Sequence, residues 1–209
     1  GRETFVDFRE IAPLAATRDM YLDATGKPDP RLSTRGHLAS GVPGTVAGLE
    51  LAREKYGTRA RSELVAPALG LAARGFVLDQ GDAEFLAEGA DDFRKDAPAS
   101  AAYLNKGRPY AAGERLVQGD LARMLRIIAK DGARGFYHGE PARLIVAGNR
   151  KGGGILSLDD FAQYKAVERK PLQCDYRGYR VTSAPPPSSG GVVICESLNV
   201  LSGWPVDPA

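Results

Sequence analysis

Apolar residues recur at helical spacing through much of the chain, and one segment shows the pattern most clearly. In residues 120–130, four apolar side chains fall at positions i, i+3, i+4 and i+7, and Gly132 follows as a stop signal. These side chains are Leu121, Met124, Leu125 and Ile128. The pattern predicts an amphipathic helix with one face turned towards a hydrophobic core.

Further helices are predicted where apolar spacing coincides with start or stop residues. Ser62 and Gly75 bracket one such segment, and Pro67 inside it is expected to kink the helix or separate its first turn. Ser157 and Asp160 have the spacing of a capping box at the start of a short helix. The other predicted helices cover residues 15–21, 43–56, 82–96 and 140–149, and a last one ends at Leu201.

Strand signals are few and lie mainly near the two ends of the chain. Residues 4–9 read as one strand, and residues 167–174 and 179–184 read as two strands joined by a turn at residues 175–178. Residues 23–43, rich in Gly, Pro, Asp, Ser and Thr, are predicted to form an ordered loop. So few strands cannot make a closed sheet. We therefore predict an α+β fold that is rich in helices, has a β-hairpin near its C-terminal end, and lacks partner strands.

Composition and charge narrow the possible functions. The chain has 209 residues, of which 43% are apolar, and its net charge is +2. Its basic residues are spread out rather than clustered, so no nucleic-acid partner is predicted. No apolar run approaches the roughly 20 residues that cross a bilayer, so no membrane span is expected. No secretory signal is visible, although a segment from within a longer protein would lack one too.

The standard catalytic and metal-binding motifs are absent from the sequence. The two histidines, His37 and His138, do not form an HExxH motif, and no GxSxG, Walker or GxGxxG motif occurs. The two cysteines, Cys174 and Cys195, do not form a CxxC motif, so no metal site is predicted. We favour two thiols, with a disulfide as the alternative, because sequence cannot place the two Cβ atoms.

Two short segments are candidates for binding chemistry. In the first, Arg9 follows a predicted strand within the sequence DFRE, where its guanidinium could bind a substrate carboxylate through two hydrogen bonds. The alternative is an ion pair from Arg9 to Asp7 or Glu10, and the pattern alone favours it. In the second, PPPSSGG at residues 185–191, a helix start could hold an anion. There the pattern favours a rigid connection with Ser188 or Ser189 as the helix cap.

Six motifs, taken together, resemble a known family. In chain order they are DFREIAP at 7–13, ATRDM at 16–20, SGVPGTVAG at 40–48, YKAVER at 164–169, DYRGY at 175–179 and PPPSSGG at 185–191. Each alone is weak, but their order and coverage resemble the heavy subunit of the γ-glutamyltranspeptidases. The resemblance implies part of the αββα sandwich of an N-terminal-nucleophile (Ntn) hydrolase.

The resemblance also implies an activity for the complete protein. Members of this family are made as a single precursor that cleaves itself into a heavy and a light subunit. The light subunit begins with the catalytic threonine. That threonine attacks the γ-glutamyl amide of glutathione, with its own amine as the base, and the glutamyl group passes to water or to an amino acid or peptide. No cofactor or metal is implied, and bacterial members of the family are periplasmic or secreted.

For this chain, the resemblance assigns substrate binding to Arg9, which would contact the α-carboxylate of the γ-glutamyl group. Asp7 and Glu10 would position it, and residues 185–191 would support the cleft. The seven threonines lie outside the start motif of the light subunit. We therefore expect residues 1–209 to be a partial heavy-subunit domain without the first strands, without the light subunit that is its partner, without a catalytic residue and without activity alone.

Three alternatives stay open. Cephalosporin acylases and poly-γ-glutamate transpeptidases share the fold that the resemblance implies. Arg9 favours a donor with a free α-carboxylate, because burying an unpaired guanidinium is costly. The third alternative is a helical binding module without catalytic activity.

Overall fold

Residues 3–205, which are the residues described by the computed structural model, form helices and short strands, and the strands pair two by two in an antiparallel manner. The strands are β1 (Phe5–Asp7), β2 (Phe76–Val77), β3 (Arg115–Leu116), β4 (Val167–Arg169), β5 (Leu172–Tyr176) and β6 (Tyr179–Ser183). The helices are α1 (Pro30–Thr34), α2 (Thr45–Tyr56), α3 (Arg61–Arg74), α4 (Gln80–Glu88), α5 (Ala90–Phe93), α6 (Ala97–Tyr103), α7 (Gly119–Tyr137), α8 (Glu140–Lys151), α9 (Leu158–Gln163) and α10 (Ser189–Ser202). The predicted α+β class is confirmed. None of the helices in this described part is both long and apolar enough to cross a membrane.

The chain divides into two compact units, and the segment Gly57–Lys151 forms the helical one. Here α3 packs against α7, and α7 packs against α8. The predicted helix over residues 120–130 is confirmed, and so is the interruption at Gly132, which has a left-handed φ of 60°. A Cβ at that position would lie 2.6 Å from the guanidinium of Arg61, so the bend also makes room for this side chain. Helical structure then resumes and ends at Tyr137.

Several helix boundaries in this unit differ from the prediction. The helix α3 begins after Ala60, not at a Ser62 cap, and it runs through Pro67 without a break. The segment predicted as one helix over residues 82–96 is divided at Gly89 into α4 and α5. Helix α6 was not predicted; it begins after Asp96, whose side chain accepts from the N–H of Ala99 at 2.7 Å. At α6 a local cap therefore marks the start of the helix, whereas α3 and α5 begin without a side-chain cap.

The segments Gly1–Tyr56 and Gly152–Ala209 form the second unit. Strand β1 pairs with β4, and β5 pairs with β6. The strand predicted over residues 167–174 is divided, since Pro171 follows β4 and cannot donate a ladder hydrogen bond. The hairpin is confirmed, but its turn is only Arg177-Gly178, both with positive φ, as a two-residue type I′ turn requires.

Two local predictions near the start of this unit are wrong. Residues 15–21 form turns rather than a helix, with bonds such as Ala16 N to Pro13 O at 2.9 Å that close single turns. The predicted loop over residues 23–43 contains α1, where Asp29 caps the helix through the N–H of Arg31 and Pro30 occupies the first position. It also contains a 3₁₀ turn at His37–Ala39.

The two cysteines form a disulfide, so the prediction of two thiols is wrong. Cys174 on β5 and Cys195 on α10 have their Cα atoms 5.9 Å apart. The helix α10 packs on the β5–β6 hairpin, which brings together two residues that are 21 positions apart in sequence. The sequence spacing alone carried no signal of this packing.

The chain that leaves β1 lies closely against the start of α2. Ile11 and Val42 exchange two backbone hydrogen bonds, of 3.4 and 2.8 Å. The ring of Phe8 occupies the space where a side chain at Gly48 would be, and the carbonyl of Phe8 occupies that space at Gly44. The glycines of the SGVPGTVAG motif therefore let residues 8–11 approach the α2 backbone.

We expect Gly48→Ala to destabilise the protein by about 1–3 kcal/mol, because the new methyl group overlaps the Phe8 ring in an already packed place. The matched control is Gly148→Ala, on an exposed position of α8 where no atom lies within 4 Å of the new methyl group. Helix propensity predicts that this control is stabilising by about 0.5–1 kcal/mol. Urea unfolding of both variants measures the difference, and equal unfolding midpoints would contradict the packing argument.

We expect loss of the disulfide to lower the free energy of unfolding by about 2–4 kcal/mol, since the bond constrains the unfolded chain. The measurement is denaturant unfolding of the protein with and without a reductant. The double variant Cys174→Ala/Cys195→Ala serves as control, because its unfolding should not respond to reductant. A wild-type unfolding curve that the reductant leaves unchanged would count against the bond.

Candidate functional site

A cleft of ≈ 350 Å³ brings together the two segments that the sequence marked as candidates for binding. Its walls come from β1 and the residues after it, from the start of α2, and from the segment that precedes α10. The lining residues are Phe5, Val6, Asp7, Phe8, Arg9, Glu10, Thr45, Ala184, Pro185, Pro187 and Ser188. The DFRE motif and the PPPSSGG segment therefore line a single cleft.

Arg9 lines this cleft with an exposed side chain. Its side chain is 59% exposed, and its Nε lies 3.6 Å from Oε1 of Glu10, whose side chain is 63% exposed. An ion pair between two such exposed groups is screened by water and contributes little stability. The guanidinium can therefore exchange Glu10 for a carboxylate that enters the cleft.

Asp7 forms its salt bridge with another arginine, Arg169. Its Oδ2 accepts a hydrogen bond from Nε of Arg169 on β4 at 2.6 Å, and its side chain is only 13% exposed. Its Oδ1 accepts from the backbone N–H of Arg9 at 3.1 Å. These bonds, first that of Arg169 and then that of the Arg9 backbone, lower the pKa of Asp7. Asp7 is thus an ionised acceptor that fixes the backbone of residue 9.

Tyr164 holds the other side of residue 9. Its hydroxyl donates to the backbone carbonyl of Arg9 at 2.9 Å, and the residue is only 8% exposed. Burial, followed by the charges of Asp7 and Glu10, raises the pKa of Tyr164, so the hydroxyl keeps its proton. Both backbone polar groups of Arg9 are therefore fixed by side chains.

Asp160 fixes the chain a few residues further on. Its Oδ1 accepts from the N–H of Leu14 at 2.6 Å, and its Oδ2 accepts from the N–H and the hydroxyl of Ser157 at 2.7 Å each. The capping box predicted from Ser157 and Asp160 is confirmed. Its second role, holding the segment after DFRE, was missed because Leu14 is distant in sequence.

The PPPSSGG segment connects β6 to α10, as the sequence indicated. Ser188 is the N-cap residue of this helix, as predicted, although its side chain makes no capping hydrogen bond. A Cβ at Gly191 would overlap the Ala184 carbonyl, so this glycine allows the first turn of α10 to pack on the end of β6. The segment forms one wall of the cleft.

The sequence did not predict the roles of two residues of the site. Tyr164 and Arg169 both belong to the YKAVER motif, and both act on residues 7–9. Membership of a motif was the one available signal, since contacts across more than 150 residues leave no local pattern. Within residues 3–205, no group of three or more His, Cys, Asp or Glu side chains is arranged to hold a metal ion.

Comparison with known proteins identifies the family. A family model described as γ-glutamyltranspeptidase matches residues 1–208. The glutathione hydrolase proenzyme of Pseudomonas sp. (strain A14) is 58% identical over 207 residues, which are 99% of this chain and 36% of that protein. The chain thus spans about a third of the length of this relative.

Two solved structures have the same fold. The γ-glutamyltranspeptidase of Helicobacter pylori is 43% identical with a TM-score of 0.96, over 99% of this chain and 60% of that one. The cephalosporin acylase of Bacillus halodurans is 28% identical with a TM-score of 0.84, over 97% of this chain and 38% of that one. The resemblance predicted from the six motifs is confirmed, and the chain belongs to the γ-glutamyltranspeptidase family.

Proposed function

We propose that residues 1–209 are part of the heavy subunit of a γ-glutamyltransferase that hydrolyses glutathione, and that Arg9 binds the α-carboxylate of the γ-glutamyl donor. The observation that supports this most directly is the position of Arg9. Arg9 lines the cleft and has an exposed side chain, while its backbone is fixed on both sides. A fixed backbone with an accessible cation is the arrangement that a carboxylate-binding arginine needs.

The charges around the cleft support an anionic ligand. Arg169 neutralises Asp7, so the nearest acid left to Arg9 along this segment is Glu10, at a long distance and in water. A planar guanidinium can bind a carboxylate through two parallel hydrogen bonds. The single contact of 3.6 Å between Arg9 and Glu10 is weaker than such a pair. A donor carboxylate can therefore compete with Glu10.

In the proposed reaction, the nucleophile is a threonine hydroxyl supplied by the light subunit. The hydroxyl oxygen adds to the γ-carbonyl carbon of the donor, and the threonine's own α-amine takes the hydroxyl proton. The C–N bond then breaks, the leaving amine receives the proton, and a γ-glutamyl ester remains. Water or the amine of an amino acid or peptide displaces the threonine oxygen and completes the cycle.

We also propose that the protein works in the periplasm or outside the cell. Disulfides persist in oxidising compartments and are rare in the reducing cytosol of most bacteria. The bond between Cys174 and Cys195 fits such a compartment.

A second candidate function is that of an acylase acting on other amides. The similarity to a cephalosporin acylase favours this candidate, because the two proteins share the fold over this region. The two functions differ in whether the donor needs an α-carboxylate. Family membership also favours an enzyme over a helical module without catalytic activity.

We expect Arg9→Ala in the complete enzyme to raise KM for glutathione about 10- to 100-fold, because hydrogen bonds to a charged partner are lost. Arg9→Lys should restore part of the affinity for glutathione, since lysine keeps the positive charge but cannot form two parallel hydrogen bonds to a carboxylate. The control is Arg180→Ala, since this exposed arginine on β6 does not line the cleft. Steady-state kinetics with glutathione tests the proposal, and an unchanged KM in Arg9→Ala would favour the acylase.

Residues 1–209 alone are expected to have no transferase or hydrolase activity, because the proposed nucleophile belongs to the light subunit. The measurement is release of p-nitroaniline from γ-glutamyl-p-nitroanilide, compared with a control without protein. The complete enzyme, containing both subunits, serves as the positive control. Release by the purified 209-residue chain above background would refute this expectation.

A further inference from the structure

The hydroxyl of Tyr164 links two segments that are distant in sequence. It donates to the carbonyl of Arg9, 155 positions away, at 2.9 Å. Tyr164 follows the last residue of α9, and Arg9 follows β1. This contact therefore connects the end of a helix to the residue proposed to bind the donor.

The hydroxyl reaches this carbonyl only because Gly44 has no side chain. A Cβ at Gly44 would overlap both the Tyr164 hydroxyl and the Phe8 carbonyl. Three of the six motifs, DFREIAP, SGVPGTVAG and YKAVER, thus meet at a single hydrogen bond. Gly44 and the Arg9 carbonyl together define the position of the Tyr164 hydroxyl oxygen.

We propose that Tyr164 is a positioning residue for Arg9 and, through it, for the α-carboxylate of the donor; this inference rests on the proposed function. The side chain of Arg9 is long and exposed, so the position of its guanidinium depends on how its Cα is held. The Tyr164 bond fixes the carbonyl next to this Cα, while Asp7 fixes the amide. A small displacement of a binding group is enough to lose affinity.

The hydroxyl and the ring of Tyr164 make separable contributions. The ring is buried, and phenylalanine preserves its packing. The hydrogen bond to the carbonyl of residue 9 is only partly buried, so water can take the place of the hydroxyl once it is removed. Tyr164→Phe should therefore leave the protein folded but no longer fix the orientation of Arg9.

The test compares two donors in the complete enzyme. The first is γ-glutamyl-p-nitroanilide, and the second is 4-aminobutyryl-p-nitroanilide, which lacks only the α-carboxylate. Tyr164→Phe should raise KM for the first donor about two- to tenfold, the value of one net hydrogen bond. It should change kcat little and leave kcat/KM for the second donor unchanged. The matched control is Tyr179→Phe, which removes a hydroxyl from a highly exposed residue and should change neither donor.

A double-mutant cycle with Arg9→Ala gives a second measurement with the γ-glutamyl donor alone. If Tyr164 acts through Arg9, Tyr164→Phe should have no further effect on kcat/KM once Arg9 is alanine. Equal losses on both donors, or full additivity in the cycle, would overturn the inference in favour of a general structural role.

The same experiment separates the two proposals. If Arg9→Ala keeps the preference for the donor with the α-carboxylate, the proposed function itself fails. If Arg9→Ala removes that preference while Tyr164→Phe leaves it intact, only the role of Tyr164 fails. The expected result is that both variants reduce the preference, and Arg9→Ala reduces it more.

Discussion

The site depends on how closely the chain after β1 approaches the start of α2. Phe8 fits against Gly48, and its carbonyl fits against Gly44, at distances that a side chain at either glycine would prevent. This contact sets the position of residue 8, and residue 9 follows from it. The cleft, the orientation of Arg9 and the hydrogen bond from Tyr164 all presuppose this approach.

The charges near the cleft follow a simple division. One arginine, Arg169, is committed to Asp7 through a short hydrogen bond, and the resulting carboxylate holds the backbone of Arg9. The other arginine, Arg9, keeps an accessible guanidinium beside a weakly held Glu10. The two arginines therefore differ in role: Arg169 pairs with Asp7, whose side chain is mostly buried, whereas Arg9 lies beside Glu10, whose side chain is exposed to water.

The far wall of the cleft depends on a different kind of constraint. The hairpin β5–β6 ends in the PPPSSGG segment, and α10 packs back on the hairpin through the disulfide. Gly191 permits the first turn of the helix to lie on the end of β6. A covalent bond at Cys195 and a close backbone contact at Gly191 thus hold the helix against the hairpin at two points.

The sequence by itself determined the α+β class, the central amphipathic helix with its break at Gly132, the capping box of Ser157 and Asp160, and the hairpin, because each depends on residues close together in the chain. It also determined the family, since the six motifs and their order can be read from the sequence without knowing which residues are in contact. Only the tertiary structure decided the disulfide, the pairing of Asp7 with Arg169, and the bond from Tyr164 to Arg9. The physical reason is that these contacts join segments whose separation in space is set by packing, and periodicity and capping carry no information about it.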